Sequence, residues 1–151
     1  MKSPCALLFE KVPIFAGLNE AAILVLADSA KAHAFAAGQV LVKEGAMGNQ
    51  MFIIETGGVD IIKHLGEPHE TVLATLGPRN FFGEGCIIES APRSASARAA
   101  ESTAVYELTA ADLYHLFKKL PEDYAVLILN VARDISRRLR ALDEVFAARC
   151  H

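Results

Sequence analysis

The most informative stretch of the chain runs from residue 82 to residue 96 and reads Phe82-Gly83-Glu84-Gly85-Cys86-Ile87-Ile88-Glu89-Ser90-Ala91-Pro92-Arg93-Ser94-Ala95-Ser96. Gly83 and Gly85 flank Glu84, so the backbone can approach another group closely there. The tripeptide Cys86-Ile87-Ile88 can form one helical turn, which Pro92 stops. The stretch therefore predicts a tight turn followed by one short helix.

The same stretch carries hydrogen-bond donors and an acceptor of the kind that suits a sugar phosphate. The first backbone N–H groups of a helix lack partners and attract anions. Arg93 lies among small residues, where its guanidinium can bind a phosphate bidentately and the Ser94 hydroxyl can add a donor. Glu84 supplies an acceptor for a sugar hydroxyl. From the spacing alone, a structural ion pair between Glu84 and Arg93 explains the pattern at least as well.

Length and composition limit the class of protein. The chain has 151 residues, 52% of them apolar and 22% charged, which predicts a single domain over residues 1–151 with a core that needs no disulfide or metal. The net charge of −3 disfavours direct nucleic-acid binding. Its apolar runs are too short for a signal peptide or a membrane span, which predicts a cytoplasmic protein without membrane partners.

The reactive side chains give no sign of metal binding or catalysis. The three cysteines, Cys5, Cys86 and Cys150, are widely separated and are interpreted as free thiols; the alternative is an interchain bond through Cys150. The five histidines do not show the close spacing of a metal site. No catalytic pairing stands out, so the prediction is a protein that is not an enzyme and that has no cofactor.

The pattern of secondary structure changes twice along the chain. A helix follows the N-cap candidate Asn19 and ends near residues 29–31. Short runs of β-formers broken by glycine then extend to Thr109, which is typical of an antiparallel sandwich or barrel. The predicted strands are 32–35, 39–43, 50–55, 59–64, 70–76, 97–100 and 104–108.

Helical periodicity returns at the C-terminus. Thr109 precedes a helix over residues 110–120, and after Pro121 a longer one covers residues 122–148. The longer helix carries one apolar stripe, formed by Ile128, Val131, Ile135, Leu139, Leu142 and Phe146. Two interpretations stay open, since the stripe can pack on the barrel or pair with a second copy of the chain.

Several segments resemble parts of one protein family, and they occur in the same order along the chain. Gly83-Glu84, then eight residues ending in Pro92, then Arg93-Ser94-Ala95-Ser96 resembles the phosphate-binding cassette of cyclic-nucleotide-binding domains; we call residues 82–96 the cassette. The segments Val12–Leu18, Phe35–Leu41, Glu44-Gly45 and Met51–Val59 also resemble parts of this family. The chain departs from the usual cassette at Gly85 and Cys86, and the extra glycine loosens the short helix by about 1 kcal/mol relative to alanine.

The resemblance implies roles for individual residues. Arg93 would pair with the cyclic phosphate, Glu84 would accept from the ribose 2′-hydroxyl, and backbone N–H groups near Gly83, Cys86 and Ser94 would complete the phosphate site. The remaining implied ligand-binding residues are Gly85 and Ala95 in the cassette, Ile61 and Leu73 on the base side, and Arg140 and Asp143 on the last helix. Ordinary core packing is the alternative for Ile61 and Leu73.

The sequence thus predicts a mainly β protein with flanking α-helices. Its antiparallel jelly-roll barrel (residues 32–109) contains the cassette, between an N-terminal helical segment (1–31) and two C-terminal helices (110–148). The resemblance implies a sensor of cAMP or cGMP that signals through those helices to an unidentified protein and that can form a homodimer. The alternative is an interaction protein of the same fold that no longer responds to nucleotides.

Overall fold

A computed structural model describes residues 2–149 of the chain, in which ten strands are flanked by four α-helices. The strands are β1 Lys31–Phe35, β2 Val40–Val42, β3 Met47–Gly48, β4 Gln50–Thr56, β5 Val59–Lys63, β6 Thr71–Leu76, β7 Phe81–Phe82, β8 Ala91–Pro92, β9 Ser96–Ala99 and β10 Thr103–Thr109. The helices are α1 Pro4–Phe9, α2 Glu20–Ser29, α3 Ala110–Lys119 and α4 Pro121–Arg149.

The strands form two sheets and a short ribbon. One sheet has the order β1-β10-β4-β7 and the other β2-β9-β5-β6, while β3 and β8 pair with each other. Neighbouring strands are antiparallel throughout. This arrangement with flanking helices confirms the predicted jelly-roll fold class.

The first sheet separates two apolar layers. Phe52 and Ile54 of β4 pack between the sheets, whereas Met51 and Ile53 of the same strand face the layer of helices. Successive side chains of a strand point to opposite faces, so β4 is buried on both sides. The cassette begins at β7, the neighbour of β4, and is therefore fixed to a strand with four consecutive buried residues.

Capping side chains set the starts of two predicted helices. The Asn19 side chain accepts a hydrogen bond from Ala22 N at 2.9 Å, and α2 follows it. Thr109 and Asp112 cap each other's backbone at the start of α3. Both N-caps lie where the sequence predicts them, since these side chains satisfy N–H groups that the helix leaves unpaired.

The sequence-based prediction missed the smaller elements. It left out α1, although Ser3 accepts from Ala6 N at its N-terminus and Pro4 occupies its first turn. It also left out the two-residue strands β3, β7 and β8. The cassette helix is a 3₁₀ helix over Glu84–Ile87, and not a turn over residues 86–88, because Gly83 takes a left-handed conformation and starts it two residues earlier.

The long helix α4 has a buried half and an exposed half. Leu127 and Val131 are fully buried against the helical layer. Beyond them the stripe is exposed: Ile135 by 44%, Leu139 by 57%, Leu142 by 63% and Phe146 by 69%. The interpretation that the stripe packs on the barrel is therefore wrong beyond Val131.

Among the described residues, no helix is both long and apolar enough to cross a membrane. Cys150, the candidate for an interchain bond, lies outside the described residues.

Candidate functional site

A cavity of about 650 Å³ lies between the cassette and the second sheet. Its volume falls in the range of small-molecule sites. Of the predicted site residues, Gly83, Glu84, Gly85, Cys86, Arg93, Ser94, Ala95, Ile61 and Leu73 line it, and Arg140 and Asp143 do not. The sequence therefore identifies the cassette side of the cavity and its apolar wall.

Gly83 shapes the entrance to the cassette helix. Its φ is +80°, a backbone conformation that residues with a side chain rarely adopt. A Cβ at this position would lie 2.7 Å from Arg93 Nη1 and 2.7 Å from the Gln50 carbonyl oxygen. The Cys86 amide donates to the Gly83 carbonyl at 3.2 Å, so in this structure that predicted phosphate donor is used within the 3₁₀ helix.

Backbone bonds and two glycines place Arg93. Its N–H donates to Ala46 O and its carbonyl accepts from Gly45 N, both at 2.8 Å. The side chain then crosses Gly48 so closely that a Cβ there would lie 2.1 Å from Arg93 Nε. The guanidinium thus lies in a groove that is open only because residues 48 and 83 lack side chains.

The guanidinium of Arg93 is held by neutral acceptors. Its Nη2 donates to the Gln50 carbonyl at 2.8 Å and to Gln50 Oε1 at 3.2 Å. No carboxylate among the described residues lies within ion-pairing distance of it. A half-buried cation that only neutral groups hold can bind an anion strongly, because the local dielectric is low and no carboxylate competes.

Glu84 is buried in the same cavity and pairs with the last helix. Its Oε1 lies 2.9 Å from Arg138 Nη1, and Arg138 Nε lies 3.1 Å from Asp134 Oδ2. Burial raises the pKa of Glu84, while Arg138 opposes that shift. The ion pair between Glu84 and Arg93 that spacing alone allowed is wrong, since each side chain bonds to a different partner.

The polar residue of α4 that lines the cavity is not one of those that the sequence analysis named. Arg138 lines the cavity, with its Cζ 5.9 Å from the centroid of the Phe81 ring, whereas Arg140 and Asp143 do not line it. The signal was available in the helical phase. At 3.6 residues per turn, Arg138 projects within about 20° of the buried Val131, and Arg140 projects about 180° away.

The wall opposite the ion pairs is apolar. Val42, Ile61, Leu73 and Leu76 line it, and Leu73 is 58% exposed at the rim. Cys86 is half-buried, and burial raises the pKa of its thiol to about 11. The cavity thus joins a cation and a buried carboxylate at one end to a surface for a flat apolar group at the other.

Comparison with known proteins connects this geometry to one family. The family profile described as "Cyclic nucleotide-binding domain" matches residues 32–120, which is more than half of the chain. The cyclic AMP receptor protein of Thermus thermophilus is 31% identical over 132 residues, covering 87% of this chain and 59% of that protein. A cyclic nucleotide-gated potassium channel of Rhizobium etli is 35% identical over 111 residues, covering 74% of this chain and 30% of the channel.

A solved structure shares the fold. The crystal structure of the N-terminal domain of a transcriptional regulator from Streptomyces coelicolor superposes with a TM-score of 0.79 at 26% identity, and the match covers 89% of this chain and 94% of that one. The chain spans less than two thirds of the length of the curated relatives described above. It belongs to the cyclic-nucleotide-binding domain family.

Proposed function

We propose that this domain binds cAMP or cGMP in the cavity beneath the cassette and acts as a sensor. One observation carries the proposal. Arg93, with no carboxylate partner among the described residues, and the buried Glu84 line one cavity. A cyclic nucleotide offers what both side chains need, an anionic phosphate for the guanidinium and a ribose hydroxyl for the carboxylate.

The remaining contacts follow from the lining of the cavity. Arg93 binds the cyclic phosphate, and the exposed Ser94 adds its hydroxyl and its amide. The base lies along Ile61 and Leu73. Burial of a flat apolar ring on these side chains supplies affinity that scales with the apolar area removed from water.

The contact between Glu84 and Arg138 gives the signal a route into α4. The ribose hydroxyl and the Arg138 guanidinium bind the same carboxylate, so occupancy of the cavity changes how firmly α4 is held. A ligand shifts such an equilibrium only if it binds one position of the helix better than the other. Competition for Glu84 is a direct source of that difference.

The output of the sensor involves the exposed half of α4. We propose that this half of α4 pairs with a second copy of the chain and that a downstream protein reads the change. The names of the relatives, a receptor protein and a gated channel, show that domains of this kind occur in different signalling proteins.

Calorimetric titration with cAMP and cGMP tests the proposal. Replacement of Arg93 by glutamine (Arg93→Gln) removes the bidentate charged contact and weakens binding by about 100-fold. The matched control is Arg133→Gln, an exposed arginine of α4 outside the cavity, which binds like the wild type. Absence of heat with either nucleotide, at protein concentrations suited to micromolar binding, contradicts the proposal.

Amide hydrogen exchange tests the signalling step in the same samples. Saturating nucleotide changes exchange in residues 134–149 of the wild type, and the change is lost in Arg138→Met, in which no cation is paired with Glu84. A nucleotide that binds without altering exchange in α4 would leave the binding site in place and would disprove the route through α4.

A further inference from the structure

Lys63 ties the end of β5 to the cassette. Its Nζ donates to the Ser94 carbonyl oxygen at 2.7 Å and lies 3.2 Å from Glu44 Oε2. Lys63 does not line the cavity, whereas Ser94 and Ala95 do. The lysine thus binds the cassette from outside the cavity, at Ser94, the residue that follows Arg93.

Glu44 holds the Lys63 ammonium in position and is itself fixed by two hydrogen bonds. Its Oε1 accepts from the His64 amide at 2.9 Å, and its own amide donates to Ser96 Oγ at 2.9 Å. His64 has a φ of +59°, an unfavourable conformation for a residue with a Cβ, and one that persists only where the surroundings impose it. The lysine, the glutamate and this turn therefore form a bracket around residues 94–96.

The bracket determines how the peptide between Ser94 and Ala95 is turned. A trans peptide is planar, and its C=O and N–H point in opposite directions; the described residues contain no cis peptide. With the Ser94 oxygen bound to Lys63 outside the cavity, the Ala95 N–H points away from Lys63. Ala95 lines the cavity and follows Arg93 by two positions, so its amide is a candidate donor to a phosphate that binds Arg93.

We propose that Lys63 is a positioning residue for the phosphate site, and that it acts by holding the Ser94–Ala95 peptide in the orientation that presents the Ala95 amide to the ligand. The inference rests on the proposed function. It assigns to a residue of β5, outside the cassette, a part in fixing one particular oxygen of the ligand.

The test compares cAMP with its two phosphorothioate diastereomers, which carry sulfur in place of one or the other exocyclic oxygen of the phosphate. The Lys63→Met variant keeps the length and the apolar stem of the side chain. It binds cAMP about 5-fold more weakly, and the ratio of its affinities for the two diastereomers changes by a similar factor, because only one of the oxygens meets the Ala95 amide. Lys63→Arg keeps a donor and restores both values to within about 2-fold.

Lys43→Met is the matched control. Lys43 is an exposed lysine close to the cassette, and it lines the small neighbouring cavity behind Arg93. Loss of its charge lowers the general electrostatic attraction of an anionic ligand, as the loss of the Lys63 charge also does. We expect this variant to keep the wild-type diastereomer ratio.

Four outcomes would overturn the inference, and the last of them differs in meaning. Unchanged cAMP affinity in Lys63→Met, or equal weakening toward both diastereomers together with a lower melting temperature, refutes positioning while the wild type still binds nucleotide. Equal effects of Lys63→Met and Lys43→Met reduce the role of Lys63 to charge alone. A wild-type protein that binds no cyclic nucleotide removes the proposed function itself, and this inference with it.

Discussion

Gly83 and Gly85 differ in what the fold requires of them, although both flank Glu84. Gly83 has a left-handed φ, and a Cβ there would collide with Arg93 and with the Gln50 carbonyl. Gly85 is exposed, and a Cβ there would meet nothing within 4 Å. The first glycine is needed for the site, whereas the second only adds conformational freedom to the 3₁₀ helix.

This difference predicts opposite effects of the same substitution. Gly85→Ala raises the free energy of unfolding by about 0.5–1 kcal/mol, because alanine restricts the unfolded chain without creating a clash, and it strengthens nucleotide binding by ordering the helix beforehand. Gly83→Ala lowers stability by about 1–3 kcal/mol and weakens binding, because Arg93 must move. Urea unfolding and calorimetric titration measure both quantities. A destabilised Gly85→Ala, or a neutral Gly83→Ala, would contradict this assignment.

At the scale of elements, the sequence predicts the helix starts, because side chains close to them in the sequence determine where they lie. Asn19 and Thr109 cap their helices through bonds to residues three positions ahead, so the caps can be recognised in the sequence. Strands β3 and β8 exist only because Met47 and Gly48 pair with Pro92 and Ala91 far along the chain. No local pattern encodes such a two-residue strand.

The candidate site divides in the same way. Glu84 and Arg93 could be identified because both belong to one contiguous cassette. Gln50 and Arg138 were missed because they reach the site from β4 and α4, so their roles depend on tertiary packing. Arg138 was the recoverable miss, since its helical phase relative to Val131 places it toward the barrel.

The exposed half of α4 leads to a prediction about assembly. Ile135, Leu139, Leu142 and Phe146 follow one another at intervals of four, three and four residues, which is the spacing of core positions in a coiled coil. We expect a homodimer at tens of micromolar protein. The double variant Leu139→Glu/Leu142→Glu becomes monomeric, because the charges would be buried in the paired helices.

Sedimentation equilibrium measures this association. The control is Leu24→Glu, which introduces the same charge at a leucine that is 41% exposed on α2 and leaves the dimer intact. A wild type that stays monomeric at 100 μM, roughly a hundred times a micromolar dissociation constant, would contradict the pairing of the stripe with a second copy of the chain.

At the scale of the whole molecule, Glu84 lies where the anchored half of α4 ends. Asp123 accepts bonds from the backbone and the side chain of Asn19, and Asn130 donates to the carbonyls of Ile14 and Ala16. These bonds fix the first half of α4 to the N-terminal segment. The next polar contact along the helix is the ion pair of Arg138 with Glu84 of the cassette, and Asp134 pairs with the same arginine. A change at Glu84 therefore acts on the boundary between the fixed half and the exposed half.

The buried carboxylate also links folding to pH. Burial raises the pKa of Glu84 in the folded state above its unfolded value, and Arg138 offsets this only in part. The folded state therefore holds the proton more tightly. The stabilisation that this provides is complete below the unfolded pKa of about 4.3 and is lost as the pH rises through the raised folded pKa.

Comparison of the wild type with Glu84→Gln isolates this contribution, because glutamine resembles the protonated carboxyl and does not titrate. The free energy of unfolding of the wild type, relative to that of Glu84→Gln, is expected to fall between pH 4 and pH 7 in denaturant titrations. Glu89→Gln removes an exposed carboxylate of the cassette and serves as the control for the change in net charge. A relative stability that rises with pH would mean that the ion pair with Arg138 outweighs the cost of burial. In that case the ion pair would resist displacement of Arg138 from Glu84 by a ribose hydroxyl. The cavity would then have to signal through another contact.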